Sequence, residues 1–396
     1  MKIAYILEIF PKLSESFIVN EIVELLRNGH DVHIFSMNVP VEGIKHEAVK
    51  EYNILERTHY FSFNSIFKVN VIDLLKYFMF GVFQDLYNLK IYTNMFVFNL
   101  KQAYFATIIH KNRIELIHAH FASMGNVSRR LSKILGLPYT LTAHAFDIYM
   151  YPDVDNLREV MENAHSVVTI SDYNKNHLQG KIGIMNRIDV IRCGIDINRF
   201  SPRRRSMVND GIKLLTVTRL VEKKGLEYLI RAIPIVIKEI PDCNLTIVGT
   251  GPLNDQLHQL VHDLKLEGYL QFKGDQSDLE LMHYYENAEM FILPCIIAQN
   301  GDRDGIPVAI MEAMAMELPV ISTMVSGIPE LVEDGISGIL VSQKDEKAIA
   351  DAIIKLHKDR KLRLEMGAKG RQIIENKYNI VSESEKLIKI FNKMRC

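Results

Sequence analysis

The sequence predicts an α/β protein made of two doubly wound, Rossmann-like domains that face a central cleft. Short apolar runs alternate with helical patterns along nearly the whole chain, which is typical of a mostly parallel sheet covered by helices. The length of 396 residues exceeds what one hydrophobic core usually supports. A polar break at 198–206 interrupts the alternation, which then starts again and so indicates a second domain.

The first half reads as strands joined by helices. Segment Ser14–Arg27 predicts a helix, because Ile18 and Ile22 recur at helical spacing and Gly29 supplies a stop. Region 61–110 is rich in aromatic residues and predicts two or three helices. The predicted strands are Ile3–Leu7, Asp31–Ser36, Leu116–Ala119, Tyr139–Thr142, Val167–Ile170 and Ile188–Ile191.

The second half repeats this organisation. Its predicted strands are Leu214–Thr218, Asn244–Val248, Met290–Leu293, Val320–Ser322 and Gly338–Val341, and Phe272 ends a further one. We therefore predict domains at 1–200 and 207–379, with a tail at 380–396 whose helix is a candidate to pack back onto the first domain. Ligands of such sheets bind outside the carboxyl ends of the strands, so the cleft between the domains is the predicted site.

Composition and charge exclude several classes of protein. The net charge of −1 gives no general signal for binding nucleic acid. The four cysteines form no CxxC pair, which argues against a zinc ribbon or a disulfide framework and fits a reducing compartment. The sequence has no recognisable signal peptide and no window of about 18 uncharged apolar residues. We therefore expect a cytoplasmic protein, with peripheral contact to the cytoplasmic membrane face as a further option.

Asp304 and Glu312 are two carboxylates eight positions apart. Between them, Gly305 and Pro307 mark a loop that turns into a helix. A buried strand follows, and the turn Ser326–Glu330 then opens another short helix. Free amides at helix starts bind anions well. A phosphate held there, beside a carboxylate that accepts hydroxyl protons, indicates a nucleotide-sugar site.

These motifs resemble those of glycosyltransferase family 4, a retaining family of the GT-B fold. The similarity spans nearly the whole chain and is strongest over 217–341. Asp304 and Glu312 stand where the family has its two carboxylates, and segment 218–225 is similar to its Arg and Lys pair. The first-half segments that resemble the branch building bacterial exopolysaccharides, such as colanic acid, are 9–21, 118–121 and 144–147.

The resemblance implies a role for each main candidate. Arg219 and Lys224 would stabilise the charge that grows on the departing diphosphate, Arg with a planar fork and Lys as a point charge. Glu312 would accept hydrogen bonds from ribose hydroxyls, and Asp304 would touch the donor sugar. The family usually has Glu in place of Asp304, whose side chain is shorter by about 1.5 Å, one C–C bond. His144 holds the position of a family histidine that contacts the donor sugar.

The candidate residues form three groups. The catalytic candidates are His144, Arg219, Lys224 and Asp304. The residues expected to bind the donor nucleotide are Glu312, Gly274, Gly305, Ile306, Pro307, Ser326, Gly327 and Ile328. The residues expected on the acceptor side are Ser14, Glu15, Ser16, His120 and Asp147. Ser14 or Ser16 can cap the following helix and leave its amides free for the diphosphate or the acceptor, and capping alone is the alternative.

No metal and no cofactor are expected besides the donor itself. His118 and His120 alternate along a strand and so share a face, as a metal-binding pair would. No cysteine or carboxylate cluster accompanies them in the sequence. The GT-B fold class, by resemblance, generally works without a metal.

Region 61–110 allows two interpretations. It can cover the core of the first domain, or it can lie against anionic lipid with its lysines near the head groups. Core packing is favoured for most of it, with some exposed aromatic side chains reaching a lipid-linked acceptor. The lysines concerned are Lys68, Lys76, Lys90 and Lys101.

The resemblance implies an enzyme, a retaining hexosyltransferase. It would move a sugar from a nucleoside diphosphate sugar to a hydroxyl of a glycan or lipid-linked oligosaccharide, in exopolysaccharide or lipopolysaccharide biosynthesis. One alternative is a sugar phosphorylase or nucleotide-sugar epimerase with the same architecture. Another is a catalytically silent scaffold in a polysaccharide assembly complex, which would not need Arg219, Lys224, Asp304 and Glu312 together.

Overall fold

The computed structural model describes residues 1–40, 46–87, 95–150, 153–202 and 211–394. Lys90 and the end of the polar break, 203–206, lie outside these residues. The strands are β1 (Lys2–Ile9), β2 (Asp31–Asn38), β3 (Thr58–Tyr60), β4 (Leu116–His120), β5 (Tyr139–Ala143), β6 (Ser166–Thr169), β7 (Ile188–Val190), β8 (Ile212–Val217), β9 (Cys243–Val248), β10 (Leu270–Phe272), β11 (Met290–Ile292), β12 (Val320–Thr323) and β13 (Gly338–Val341).

Helices occupy most of the segments between the strands. They are α1 (Ser16–Arg27), α2 (Glu47–Glu51), α3 (Val71–Tyr87), α4 (Met95–Lys111), α5 (Gly125–Leu135), α6 (Ala145–Tyr149), α7 (Val154–Glu162), α8 (Asp172–His177), α9 (Leu226–Glu239), α10 (Asn254–Asp263), α11 (Asp278–Asn287), α12 (Val308–Ala315), α13 (Ile328–Leu331), α14 (Glu346–Lys358), α15 (Arg360–Lys377) and α16 (Ile380–Asn392). The short 3₁₀ turns are Leu13–Glu15, Ile54–Arg57, Phe63–Lys68, Ala122–Met124 and Glu222–Lys224, and Leu178–Ile182 is a π turn.

Two all-parallel sheets confirm the predicted pair of doubly wound domains. The first sheet has the order β3-β2-β1-β4-β5-β6-β7 and the second the order β10-β9-β8-β11-β12-β13. Strand order reverses between β1 and β4 in one sheet and between β8 and β11 in the other. Loops leaving such neighbouring strands run to opposite faces and leave a crevice at the carboxyl edge. Each sheet therefore offers one crevice in which a ligand can lie.

The strands are apolar on both faces because helices cover both sides of each sheet. Ile3, Tyr5 and Leu7 of β1 pack on one face with α1, while Ala4 and Ile6 pack on the other. The second sheet likewise has a separate apolar cluster on each face. This burial explains why unbroken apolar runs in the sequence marked the strands.

Two chain segments cross between the domains side by side. The backbone N–H of Ile195 donates to the carbonyl of Tyr378 at 2.9 Å, and the N–H of Ile380 donates back to Ile195 at 3.1 Å. A Cβ at Gly194 would collide with the backbone of Ile380, so this position requires glycine. Beyond the crossing, α16 packs through Phe391 against the first sheet.

The structure differs from the predicted elements at two places. Strand β3 was not predicted, since its three residues at the sheet edge are only half-buried and show no apolar run. Helix α1 begins at Ser16 rather than Ser14, because a 3₁₀ turn leads into it. Among the described residues, no helix has the length and apolar character needed to cross a membrane.

Candidate active site

Arg219 and Lys224 lie in the loop after β8, at the point where the second sheet reverses its strand order. Two glycines let this loop pack on its neighbours. A Cβ at Gly225, whose φ is 65°, would collide with the carbonyl oxygen of Pro294 at the end of β11. A Cβ at Gly249 would collide with the carbonyl oxygen of Thr218. The loop is therefore held against the ends of both neighbouring strands.

Lys224 and Asp304 form an ion pair across this crevice. The Lys224 Nζ lies 2.8 Å from Asp304 Oδ2, and each side chain is 13% exposed. Burial favours the neutral form of each group, but the opposite charge outweighs it. The pKa of Lys224 is raised despite burial, chiefly by the charge of Asp304. The pKa of Asp304 is lowered despite burial, by Lys224 and then Lys223, so both groups are charged at neutral pH.

Lys223 and Cys295 are further partners of Asp304 that were not predicted. The Lys223 Nζ lies 3.0 Å from Asp302 and 3.7 Å from Asp304. The Cys295 thiol donates to Asp304 Oδ2 at 3.3 Å, and burial raises its pKa well above the usual range. Asp302 and Asp304 are thus held by neighbouring cations of one loop. The lysine pair in the sequence was the available signal for this second contact.

Arg219 differs from the two lysines in having no acidic partner among the described residues. Its side chain is exposed, and it makes no hydrogen bond or ion pair with any part of the chain that the structure describes. Its charge acts on Lys224 and opposes the rise in that residue's pKa, so the two cations are neighbours. A guanidinium that is left free by the described chain and lies beside a second cation is suited to a phosphate group.

Glu312 projects from α12 and is half-buried. Its Oε2 accepts a hydrogen bond of 2.7 Å from the hydroxyl of Tyr285, a fully buried residue of α11. Burial raises the pKa of Glu312, while the Tyr285 bond and the charge of Arg199 act in the opposite direction. Tyr285 and Arg199 were not predicted as site residues. One Glu312 oxygen is held in place, and the carboxylate retains further acceptor capacity.

The turn at Ser326 carries an orphan polar group. Ser326 has a left-handed φ of 50°, which is strained for a residue other than glycine. It is 8% exposed, and its hydroxyl has no hydrogen-bond partner in the described chain. A buried hydroxyl without a partner is unfavourable unless a ligand or water supplies one.

The amides expected to bind the donor divide into two sets. Gly327 donates its N–H to the carbonyl of Gly305 at 3.1 Å, and Ile328 donates to Val325 at 3.0 Å. The N–H groups of Gly305, Ile306 and Ser326 make no hydrogen bond within the described residues. Pro307 has no N–H and caps α12, so its contribution is to the turn. Gly274 has a left-handed φ of 62°, and its carbonyl accepts from Gly249 at 2.8 Å.

The donor-side loops touch the first domain. A Cβ at Gly305 would come within 2.9 Å of the Ile170 side chain, and one at Gly327 within 3.1 Å of Ser171. Arg303 lies over the ring of Tyr149, 4.7 Å from its centroid. The glycines of the motif therefore also serve close contact between the domains.

Glu330 makes several polar contacts with the first domain. Its carboxylate accepts from the backbone N–H of Tyr173 at 2.7 Å and of Asp172 at 3.0 Å, at the start of α8. Arg192 of the first domain lies 3.3 Å from the same carboxylate and 2.8 Å from Asp172. Sequence reasoning treated Glu330 only as part of a turn, because its partners are 157 and 158 residues away.

On the first domain's side of the cleft, a buried chain of hydrogen bonds joins Tyr5, Glu21, His120 and His144. We call this side the first-domain wall. The Tyr5 hydroxyl donates to Glu21 Oε1 at 2.6 Å, and His120 Nε2 lies 2.9 Å from the same oxygen. His120 Nδ1 lies 3.1 Å from His144 Nε2. His144 is 5% exposed, and burial lowers its pKa well below the usual value. The chain brings His120 and His144 together as neighbours, and His144's contact with a donor sugar stays a prediction.

His118 sits deeper in the same wall. Its ring nitrogens lie 2.8 Å from the Thr140 hydroxyl and 3.2 Å from the Thr142 hydroxyl. Burial lowers its pKa to about 3. Glu21, His118 and His120 have ligand atoms within 4.8 Å of one another, and a metal could be held by such a set. The hydrogen bonds of Glu21, His118 and His120 account for the arrangement of these side chains without a metal. The expectation of a metal-free reaction stays a prediction.

Asp147 and the serines of the first loop differ from expectation. The Asp147 carboxylate accepts from the backbone N–H of His144 at 2.9 Å and from that of Ala122, so it fixes the start of α6. The predicted serine cap of α1 is wrong. Glu15 is the N-cap residue, no side chain caps the helix, and Ser14 is exposed. Ser16 cannot cap because the preceding 3₁₀ turn places it inside the helix.

Glu15 faces the same wall from the first loop. Its carboxylate pairs with Lys12 at 2.7 Å. Burial raises the pKa of Glu15, with Lys12 acting against the rise. A small cavity under this wall is lined by Phe17, Glu21, His120 and His144, together with residues of the crossing segments.

Sequence comparisons cover nearly all of the chain. Residues 199–373 match the family model Glycosyl transferases group 1, and residues 14–199 match Glycosyltransferase Family 4. WcaL of Escherichia coli (strain K12), a glycosyltransferase named for colanic acid biosynthesis, is 31% identical over 89% of this chain and 90% of its own. The amylovoran biosynthesis glycosyltransferase AmsK of Erwinia amylovora is 29% identical over 90% of each chain.

Solved structures share the fold at low sequence identity. A glycosyltransferase from Rickettsia africae ESF-5 matches with a TM-score of 0.75 and 19% identity, covering 99% of this chain and 98% of that one. Anabaena Alr3699/HepE in complex with UDP-glucose matches with a TM-score of 0.76 and 17% identity, covering 99% and 100%. Together with the two sheets and the sequence relatives, these matches lead to one conclusion: the chain belongs to glycosyltransferase family 4 and has the GT-B fold.

Proposed function

We propose that the protein is a retaining hexosyltransferase that uses a nucleoside diphosphate sugar. The observation that carries this proposal is the cationic crevice of the second domain. There, Arg219 stands beside Lys224, and neither the Arg219 side chain nor the Ser326 hydroxyl in its strained turn has a partner among the described residues. Cations and unpaired donors in one crevice are suited to a diphosphate.

Each protein group that would bind the nucleotide sugar then has one task. Arg219 and Lys224 stabilise the negative charge that grows on the leaving diphosphate. Unpaired amides at Gly305, Ile306 and Ser326 add further donors to its oxygens. Glu312, already held by Tyr285, accepts from the ribose hydroxyls.

Asp304 orients the sugar while keeping Lys224 charged. The pair already exists at 2.8 Å, so Lys224 needs no large movement to share its charge with a phosphate oxygen. The contact with the Cys295 thiol holds the shorter Asp304 side chain in position. Lys223 supports the same carboxylate from the other side.

Retention follows if bond making and breaking occur on one face of the sugar. The bond from the anomeric carbon to the diphosphate oxygen breaks, and a bond to the acceptor oxygen forms. The acceptor proton passes to the departing diphosphate oxygen, so no protein base is required. His120 and His144 are consistent with this scheme, because their facing nitrogens are engaged with each other.

The acceptor is a hydroxyl of a glycan or lipid-linked oligosaccharide in exopolysaccharide assembly. This part rests on the relatives named for colanic acid and amylovoran biosynthesis. The protein works in the cytoplasm and makes peripheral contact with the membrane. It needs no metal, and transfer in excess chelator should proceed at the untreated rate.

Release of nucleoside diphosphate, with and without acceptor glycans, tests the function. We expect acceptor-dependent release for the matched donor, found first in a panel by the thermal stabilisation that a true ligand produces. A phosphorylase would instead need inorganic phosphate, and an epimerase would convert the donor without releasing nucleotide. A silent scaffold would show neither stabilisation nor turnover with any donor.

A further inference from the structure

Half of the large apolar side chains that are exposed in the described chain lie between Phe63 and Val97. They belong to helix α3, the 3₁₀ turn before it and the start of α4. The members are Phe63, Phe67, Val71, Ile72, Leu75, Met79, Phe80, Phe83, Phe96 and Val97, which we call the α3 ridge. Several are nearly as exposed as in an open chain, with Phe67 at 86% and Ile72 at 78%. Monomeric proteins rarely leave so many apolar side chains together in water.

The ridge follows the helical period on α3. The exposed positions 71, 72, 75, 76, 79, 80 and 83 form one stripe along the helix. Six of the seven are apolar, and the seventh is Lys76. The opposite side of the helix, with Leu74 and Tyr77, is buried and also largely apolar. A helix that is apolar all round belongs in a core or in contact with lipid, and here only one side is covered.

Contacts on the buried side fix which face of α3 is left outside. The Gly81 carbonyl accepts from Arg130 Nη2 of α5 at 2.6 Å. A Cβ at Gly81 would come within 3.0 Å of Arg130, so the helix lies close against its neighbours. The Phe78 ring packs on Phe96 of α4, with centroids 5.2 Å apart. The ridge is therefore a fixed surface of the first domain.

The exposed charged side chains of the ridge segments are lysines, as far as the structure describes them. Among the described residues of 62–83 and 96–101, the exposed charged side chains are Lys68 and Lys76. The one acid in those stretches, Asp73, is half-buried. Lysine is depleted in protein–protein interfaces. Phenylalanine and leucine flanked by lysine are instead typical of helices that lie in the head-group region of a membrane.

We propose that the α3 ridge is the surface by which the protein docks on an anionic lipid bilayer. The apolar side chains enter the boundary between head groups and acyl chains, and Lys68 and Lys76 meet lipid phosphates. This inference rests on the proposed function only for its purpose, which is to bring the acceptor side of the enzyme to a lipid-linked acceptor.

Co-flotation of the full-length protein with vesicles tests the surface. The vesicles are pure phosphatidylcholine, or phosphatidylcholine with phosphatidylglycerol at a roughly physiological anionic fraction. We expect the wild type to float with the anionic vesicles. The Phe67→Ser/Phe83→Ser variant should lower the partition coefficient at least about tenfold. The Lys68→Glu/Lys76→Glu variant should lower it by a similar factor on anionic vesicles, with little change on neutral ones.

Matched controls separate the ridge from general surface effects. Met185→Ser/Leu364→Ser removes two exposed apolar side chains elsewhere, at 85% and 49% exposure, and should float like the wild type. Circular dichroism checks that each variant is folded. Equal flotation of wild type and both ridge variants would overturn the proposal. So would a concentration-dependent dimer that the phenylalanine variant dissolves, because a second copy would then cover the ridge.

The same samples distinguish this proposal from the proposed function. Thermal stabilisation by nucleoside diphosphates is measured without vesicles on the wild type and all variants. Unchanged stabilisation with lost flotation supports docking by the ridge, independent of the donor site. Normal flotation with no stabilisation by any nucleotide contradicts the proposed function and leaves the docking surface standing.

Discussion

The two walls of the cleft differ in how far their polar side chains are already hydrogen-bonded within the protein. In the first domain, His118, His120 and His144 are buried and hydrogen-bonded within their own wall. In the second domain, Arg219 has no partner in the described chain and the Ser326 hydroxyl is an orphan. A wall that satisfies itself contributes shape and rigidity. A wall with unpaired donors is prepared for a charged ligand, at a cost in stability.

The largest expected effect comes from the second domain's side of the cleft, where Lys224 lies. Lys224→Ala removes a cation from the leaving group, and we expect kcat to fall by at least about 100-fold, as for loss of one oxyanion donor. Lys223 still neutralises Asp304, so thermal unfolding without donor should show a folded protein. Lys238→Ala, at an exposed position of α9, is the matched control. Unchanged turnover in Lys224→Ala would remove this residue from the reaction.

The next effect concerns donor affinity rather than rate. Glu312→Ala removes the acceptor for the ribose hydroxyls, and the dissociation constant of the matched nucleotide should rise by roughly 10- to 100-fold, as expected for two charge-assisted bonds. Calorimetry measures it. Tyr285→Phe removes only the bond that holds one Glu312 oxygen and should have a smaller effect. Equal affinities in all three proteins would contradict the ribose contact.

Contact between the walls supplies a third, smaller effect. Glu330→Gln replaces the carboxylate that accepts from Asp172 and Tyr173 and faces Arg192. Loss of charge-assisted bonds should weaken domain closure and lower kcat by about tenfold, with nucleotide affinity unchanged. Glu333→Gln is the control, since its partner is Lys377 of the same domain. A parallel loss of nucleotide affinity would place Glu330 at the donor instead.

The buried histidines of the first-domain wall should affect the pH dependence of stability rather than turnover. Burial lowers the pKa of His118 to about 3 and that of His144 well below its usual value. The unfolded chain then binds protons that the folded chain does not, so stability is full above about pH 6.5 and falls as the pH drops toward 4. The expected slope is roughly 1 kcal/mol per pH unit for each such histidine.

Chemical denaturation between pH 7.5 and 5 measures this slope. His118→Gln should flatten it, while His258→Gln, at an exposed position of α10, should not. Equal slopes in all three proteins would contradict the lowered pKa of His118. An increase in stability on acidification would contradict the neutral state of these histidines.

Much of the fold could be predicted from the sequence, because buried parallel strands are apolar on both faces and turns carry glycine. Strand β3 escaped because three half-buried edge residues carry no such signal. The start of α1 was misplaced because a 3₁₀ turn and an α-helix share the same local pattern.

The site was predictable where its residues lie in sequence motifs that follow the strands of one sheet. Lys224 and Asp304 follow the neighbouring strands β8 and β11, so strand order alone places them together. Glu330 and Arg192 could not be paired in advance, because their contact depends on how the domains meet. The same holds for Asp147, whose carboxylate is used by the backbone of its own domain.

The most direct test compares nucleosides with their diphosphates by calorimetry, for uridine and guanosine, in the wild type and in Arg219→Ala/Lys224→Ala. If Arg219 and Lys224 bind a diphosphate, the wild type binds one nucleoside diphosphate at least about 100-fold more tightly than the matching nucleoside. The ratio of the two dissociation constants should fall toward one in the variant. A ratio that is unchanged in the variant would contradict the account.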